Sequence, residues 1–269
     1  MHDVSVPEEL VLDRLHALGL RGVYLKRRPK KAQDLSARDL EAHAPSLPVR
    51  GEPAPDELVV HEHGVPFHAR LGDGMSTGLF LDQRANRARV RALASGKRVL
   101  NLFAYTCGFT VAAAVGGALE TVSVDASKKA LERGRANLGL SGLEGPAHRF
   151  VADDAFEVLA RMAKRGERFD LVCVDPPTFS TTKRGRWTSG KDWERLAALV
   201  FAVLTEGGVA IATSNDRRMA QGAFRAHLRA GAALAGVSLA RLVDLAPPLD
   251  FRAGPGENPL LKGVLAERA

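Results

Sequence analysis

The chain has 269 residues, 45% of them hydrophobic, and a formal net charge of +7 with a pI near 9.7. That is enough apolar material for one large or two modest folded domains, and no repeat or low-complexity tract argues for a fibrous or disordered chain. The positive charge fits polyanionic partners, nucleic acid first, and fits equally a protein drawn from a basic, Arg-, Ala- and Gly-rich proteome.

Taken in order, the chain changes character near residue 75. Residues 1–76 carry the basic run YLKRRPKK, a short helical pattern ARDLEAHA, and LVVHEHGVPFHARL, which reads as two strands turning at His63-Gly64. This is a small α+β appendage. His61 and His63 share one face of that strand and His68 follows. Glu62 points the other way, no further ligand completes a tetrahedral set, and no metal is expected. Residues 77–269 form the second domain. Its strand candidates are RVLNLFA, TVSVD, HRFVAD, LVCVD and GVAIATS, separated by the helical patterns TVAAAVGGA, SKKALERGRANLGL, DAFEVLARMAKR and DWERLAALVFAVL. Apolar strands alternating with amphipathic helices predict an α/β fold, a Rossmann-like, doubly wound and mostly parallel sheet. GPGENP reads as a loop before the final strand LLKGVLAE, placed to close over a substrate. Cys107 and Cys173 lie far apart in apolar settings, which fits a reducing cytosol, and neither a leader peptide nor a membrane-spanning run is visible.

Ligands of open α/β sheets bind at the carboxyl ends of strands, so the residue ending each strand is informative. The first strand ends in NLFAYTCGFT, the second in Asp125, the third in Asp153-Asp154, the fourth in Asp175, and the fifth in Ser214-Asn215-Asp216. Three carboxylate-bearing ends along one edge need ligand groups to accept them. Asp125 stands 17 residues beyond Gly108, close to the spacing at which a carboxylate meets ribose hydroxyls; Ser127 is the better helix cap. Of Asp153 and Asp154, one caps the helix beginning at Ala155, and the other, taken as Asp154, accepts from an adenine amino group. The first turn has one glycine, Gly108, in place of a dinucleotide G-x-G-x-x-G, which argues against a pyrophosphate cradle. A nucleoside ligand without phosphates, such as S-adenosylmethionine, fits.

The blocks TGLFLDQRANR, VLNLFAYTCGFTVAAAVGGA, SVDASKKALERGRANLGLSGL, ADDAFEVL, FDLVCVDPPTFS and TSND, in that order, resemble class I S-adenosylmethionine-dependent methyltransferases of bacterial large-subunit ribosomal RNA. The similarity is nearest to the guanine-N7 methyltransferase half of the bifunctional enzyme and next to the cytosine-C5 family. The resemblance implies that Phe80, Asp82 and Arg84 lie at the cofactor, and that Asn101, Phe103, Tyr105, Thr106 and Gly108 hold its methionine portion. It further gives Asp125, with Ala126, the ribose, the Asp153-Asp154 pair the adenine, and Asp175, Pro176, Pro177 and Phe179 the target base. GLFLDQRANRARV reads alternatively as an ordinary basic amphipathic helix.

Asp175 can accept from a purine's N–H groups while Phe179 stacks on the flipped base. Cytosine C5 chemistry would need a thiolate to attack C6, and neither DPPTFSTTK nor ATSNDRRM contains a cysteine, whereas guanine N7 has an in-plane lone pair and needs alignment only. Direct transfer to guanine N7 in 23S rRNA is therefore the expected reaction. The alternatives are another base, cytosine C5 among them, a small aromatic substrate, or a non-catalytic RNA-binding factor. Asp216 stands where the guanine-N7 enzyme carries an amide. Lys183, Arg184, Ser214, Asn215 and Arg217 are the expected RNA contacts, with Lys26, Arg27, Arg28, Lys30, Lys31, Arg186 and Arg218 along the same track. Trp187 and Trp193 are candidates to stack on nucleotides, with core packing of Trp193 an equal alternative.

Overall fold

The computed structural model describes residues 7–27, 37–182, 185–254 and 257–269. The chain groups into two compact units, one of residues 1–61 and 67–80, the other of 62–66 and 81–269. The division expected at 76 thus falls at 80, and the tip of the early hairpin goes with the larger unit. The smaller unit holds α1 (Glu8–Ala17), β1 (Gly22–Val23), α2 (Ala37–His43) and β2 (Arg50–Gly51). The expected hairpin is β3 (Leu58–Glu62) and β4 (Val65–Ala69), and it turns on His63 and Gly64 at φ of 50° and 79°.

In the larger unit a 3-10 turn at Leu81–Gln83 leads into α3 (Arg84–Leu93). There follow β5 (Arg98–Leu102), α4 (Gly108–Val115), β6 (Glu120–Asp125), α5 (Lys128–Gly139), β7 (His148–Ala152), α6 (Ala155–Lys164) and β8 (Phe169–Val174). Next come a hairpin of β9 (Phe179–Thr182) and β10 (Gly185–Thr188), then α7 (Ser189–Ala202), β11 (Leu204–Ser214), α8 (Gln221–Leu234), β12 (Leu239–Leu245) and β13 (Lys262–Arg268). The main sheet has seven strands in the order β12-β13-β11-β8-β5-β6-β7; β13 runs antiparallel to both neighbours and the other pairs are parallel. This is the doubly wound, mostly parallel sheet expected. Its central strands are mostly apolar because helices cover both faces: Leu100, Leu102, Val122, Val124, Leu171 and Val172 are all fully buried.

Trp187 and Trp193 do not face solvent. They are 4% and 0% exposed and pack edge to face at 5.7 Å, with Phe224 a further 4.8 Å from Trp193. The nucleotide-stacking expectation is corrected on that ground: both rings are core. The arginines of α3 are likewise structural tethers. Arg87 makes a two-pronged pair with Glu62 at 2.7 and 2.6 Å with side chains only 5% and 11% exposed, and Arg91 donates to the His63 carbonyl at 3.0 Å. Glu62→Ala removes the acceptor from a buried guanidinium and is expected to cost about 3–5 kcal/mol, measurable as a lowered urea midpoint; Glu62→Ala combined with Arg87→Met should recover most of it.

Candidate functional site

Strand order reverses between β5 and β8, where one half of the sheet continues to β6 and β7 and the other to β11. Loops leaving the carboxyl ends of strands at such a point diverge and leave a crevice. Two do so here: the loop from Phe103 to Cys107 after β5, and the loop beginning at Asp175 after β8.

The first loop is strained. Phe103, Tyr105 and Cys107 have φ of 55°, 48° and 61° although none is glycine; each such residue costs on the order of 1 kcal/mol or more. The surroundings impose the shape. Tyr105 N–H donates to Asp125 Oδ2 at 2.8 Å, Ala104 N–H to the Val124 carbonyl at 2.9 Å, and the Asn137 amide to the Thr106 carbonyl at 2.9 Å. Helix α4 starts directly after the loop with no side-chain cap, so its first-turn N–H groups suit an anionic group such as a carboxylate.

Helix α5 closes on this loop through Gly134. A Cβ there would stand 2.2 Å from Cys107 Sγ and 2.7 Å from its Cβ. Gly134→Ala must push the Cys107 turn away and is expected to destabilise the protein by about 1–3 kcal/mol, read as a lower melting temperature. Gly134 and Asn137 escaped the sequence reading. Their signal was a glycine and an amide three residues apart on one face of a helix.

Asp125 sits at the carboxyl end of β6, as expected, with both oxygens engaged: Oδ2 by Tyr105 N–H, Oδ1 by Ser127 N–H at 2.8 Å. Burial raises its pKa and these two donors oppose the rise. Each oxygen keeps a second lone pair for a ribose hydroxyl. Ser127 caps α5, accepting from Ala130 N–H at 3.2 Å, and Ala126 between them is exposed.

Asp154 and Asn101 both make hydrogen bonds within the protein. Asp154 is the cap of α6, accepting from Phe156 N–H at 2.9 Å, because its extended backbone and short acid suit the four unpaired N–H groups of a helix start. Its neighbour Asp153 takes Asp154 N–H on Oδ1 at 2.8 Å and Arg161 on Oδ2 at 2.6 Å. Asn101 is only 1% exposed and bonds to Thr110 Oγ1 at 2.9 Å, which in turn meets Ser123 Oγ at 2.7 Å. Its amide nitrogen braces α4 from beneath. The half-buried Phe103 ring lies 6.3 Å from Trp187.

At the second loop, Asp175 Oδ1 accepts from the Thr213 hydroxyl at 2.6 Å. Burial pushes its pKa up to about 6, opposed by hydrogen bonds from Thr213 and Gln83. Pro176 is buried and Pro177 exposed, while the Pro177 carbonyl is bound by Trp187 Nε1–H at 2.6 Å. Phe179 is half-buried at the start of β9. Thr178 donates to Asn215 Oδ1 at 2.7 Å, and Ser189 and Ser214 hydroxyls lie 3.3 Å apart, which ties this loop to the end of β11. Ser214 is buried, Asn215 and Arg217 are exposed.

Asp216 is buried and engaged within the protein. Its carboxylate accepts from Arg218 N–H at 3.0 Å and from the Arg218 guanidinium at 3.1 Å twice, while fully buried Lys262 holds its carbonyl at 2.7 Å. Arg84, expected over the cofactor, pairs with Asp250 and lies 5.9 Å from the Phe251 ring. Asp82 is half-buried with its pKa raised by burial. Phe80, in the smaller unit, is 44% exposed. Arg27 pairs with Glu8 and Lys26 donates to the Pro45 carbonyl at 3.4 Å, so neither is a free basic contact. Lys183, Arg184, Arg28, Lys30 and Lys31 lie outside the described residues, as does the Arg186 side chain. Among the described residues no cluster of His, Cys, Asp or Glu is arranged to hold a metal, and no helix is long and apolar enough to cross a membrane.

A family model described as S-adenosylmethionine-dependent methyltransferase matches residues 42–251. Ribosomal RNA large subunit methyltransferase I of Aeromonas salmonicida is 37% identical over 177 residues, 66% of this chain and 45% of the relative. The enzyme of the same name from Escherichia coli K12 is 38% identical over 178 residues with the same two coverages. The chain thus spans about half the length of the curated relatives it matches. Among solved structures, SMU.776 complexed with SAH is similar over 96% of this chain and 64% of its own, with a TM-score of 0.83 and 28% identity.

Proposed function

The chain belongs to the S-adenosylmethionine-dependent methyltransferases, and from that premise we propose that it transfers a methyl group to a base of large-subunit ribosomal RNA. The observation that carries this is the pairing of a nucleoside-shaped donor set with a half-buried acid across one strand reversal: Asp125 and the strained loop on one side, Asp175 on the other. The donor set fits S-adenosylmethionine. Asp125 supplies lone pairs for ribose hydroxyls, the uncapped start of α4 supplies N–H groups for a carboxylate, and the loop has no glycine nest that would favour phosphates. Asp153 is the acid that would meet the adenine.

When bound, the cofactor supplies an electrophilic methyl on a sulfonium. The chain's part is alignment: Asp175 fixes the edge of the base, Phe179 offers a face to stack on, and the buried surroundings keep water away. Asn215 and Arg217 lie exposed beside that loop and are the RNA contacts to test first, together with Lys183 and Arg184.

Similarity to large subunit methyltransferase I enzymes fits the cytosine-C5 alternative better than guanine N7. One observation keeps guanine N7 as a second reading. Addition to C6 of cytosine needs a thiolate, and the sequence contains only Cys107 and Cys173. Both are fully buried, and burial pushes Cys107 up to about 12 and raises Cys173 as well. Mass spectrometry of nucleosides, after incubating the chain with S-adenosylmethionine and unmodified 23S rRNA, separates the readings. A 5-methylcytidine product supports the relatives' side, 7-methylguanosine the thiol argument. No methylated nucleoside would remove rRNA as the substrate.

A further inference from the structure

Behind Asp175 runs a chain of side-chain hydrogen bonds that alkylation itself does not require. Arg89 Nη1 donates to Asn86 Oδ1 at 2.8 Å, Asn86 Nδ2 to Gln83 Oε1 at 2.7 Å, Gln83 Nε2 to Thr213 Oγ1 at 3.0 Å, and Thr213 Oγ1 to Asp175 Oδ1 at 2.6 Å. Its direction is forced at both ends. A guanidinium only donates and a carboxylate anion only accepts, so turning either amide over would set N–H against N–H or oxygen against oxygen. Gln83, Asn86 and Thr213 are 3%, 3% and 1% exposed, which leaves no room for water to replace a broken link.

We propose that Gln83, Asn86 and Thr213 are positioning residues that hold the Asp175 carboxylate as a hydrogen-bond acceptor toward the target base. The site then takes a base edge that presents an N–H and turns away one that presents only carbonyl oxygens. The proposal deepens the RNA-base reading and rests on it for the identity of the guest. Thr213 has one hydroxyl hydrogen, and the donor it receives from Gln83 leaves that hydrogen to Asp175. Among the described residues, the Gln83 amide is the other hydrogen-bond donor that reaches the carboxylate.

The other charged groups around Asp175 act in both directions. Asp82 opposes its ionisation, Arg87 favours it while paired with Glu62, and the Cys173 thiol lies behind it in β8. Losing the Thr213 hydroxyl therefore tips the balance toward the protonated acid, which donates where the parent accepts.

The test uses the full chain and three variants, Thr213→Val, Thr213→Ser and Asn86→Leu. Asp175 is titrated by carbon-13 NMR, and methyl transfer to 23S rRNA is followed against pH. In the parent the carboxyl should titrate near pH 6; in Thr213→Val it should move up by about one unit or more, and the acid limb of kcat/KM should move with it. Thr213→Ser, which keeps the hydroxyl, should restore the parent titration. Asn86→Leu, two links back, should shift it the same way by less, and serves if Thr213→Val does not fold. At neutral pH, KM for RNA should rise about tenfold in Thr213→Val while calorimetric binding of S-adenosylmethionine stays as in the parent. Identical titrations in parent, Thr213→Val and Asn86→Leu would overturn the proposal, as would a Thr213→Ser protein that behaves like Thr213→Val. If the parent transfers no methyl to rRNA, the functional reading fails, and the carboxyl titration still decides the hydrogen-bond chain.

Discussion

Asp175→Asn is expected to melt several degrees higher than the parent at pH 7.5 and to transfer no measurable methyl group. The acid is half-buried, and desolvation pushes its pKa up to about 6 from an ordinary carboxylate value of 3.8. Carrying the charge in the folded state therefore costs on the order of 3 kcal/mol above pH 6. Below pH 3.8 the folded and unfolded chains are both protonated and there is no penalty. Between the two values the unfolded chain ionises first, so stability falls as pH rises, and above the folded value the loss is constant. The advantage of the amide should accordingly be absent near pH 3.5, grow through pH 4–6 and then level off. Calorimetric melting of the two proteins at pH 4 and pH 7.5 checks this, and equal melting at the higher pH would mean that the carboxylate is not paying for burial. The stored cost has a use: an N–H from a bound base is the partner that relieves it, which an amide at this place cannot match.

Asp125→Ala should weaken S-adenosylmethionine binding by about a hundredfold or more, roughly 3 kcal/mol. Two effects combine. The ribose loses its acceptor, and Tyr105 and Ser127 lose the oxygen that each N–H uses, which leaves donors inside a partly closed site at about 1–3 kcal/mol each. The strained loop from Phe103 to Cys107 then has one tether fewer. Asp125→Asn should also bind poorly, since one carbonyl oxygen cannot serve two backbone donors approaching from opposite sides and its NH₂ group must meet one of them. Isothermal calorimetry decides; affinities equal to the parent's would end the assignment of Asp125 to the ribose. A carboxylate that only terminated the strand would show no such dependence.

The strand-end acids illustrate how far residue order carries. Asp125 was readable because a parallel strand exposes its last residue at the sheet edge, and the distance from Gly108 matches one βα turn plus one strand. Asp153 and Asp154 were not separable in the same way. Adjacent acids at a strand-to-helix junction differ only in which falls at the capping position, and a shift of one residue in the helix start exchanges their roles. Asn101 shows a related limit: residue order places it near the end of β5, but which face of the pleat it occupies is set by α4 packing on the sheet, where its amide nitrogen meets Thr110. Trp187 looked like a surface aromatic in a basic stretch; the hairpin of β9 and β10, which folds it back under Pro177, has no strong alternation to announce it.

The sequence by itself determined the alternation of strands and helices, hence the doubly wound sheet, and the family blocks that point to an adenosyl cofactor. Those properties depend on apolar periodicity and on residues a few positions apart, which short-range physics expresses directly. Only the tertiary structure decided which of the two adjacent acids caps α6, that the α3 arginines are tethers, and that Gln83, Asn86 and Thr213 converge on Asp175. Gln83 and Thr213 are 130 residues apart. Their contact follows from where β11 lies against β8 and where the turn before α3 packs, and no local pattern in either segment encodes the other.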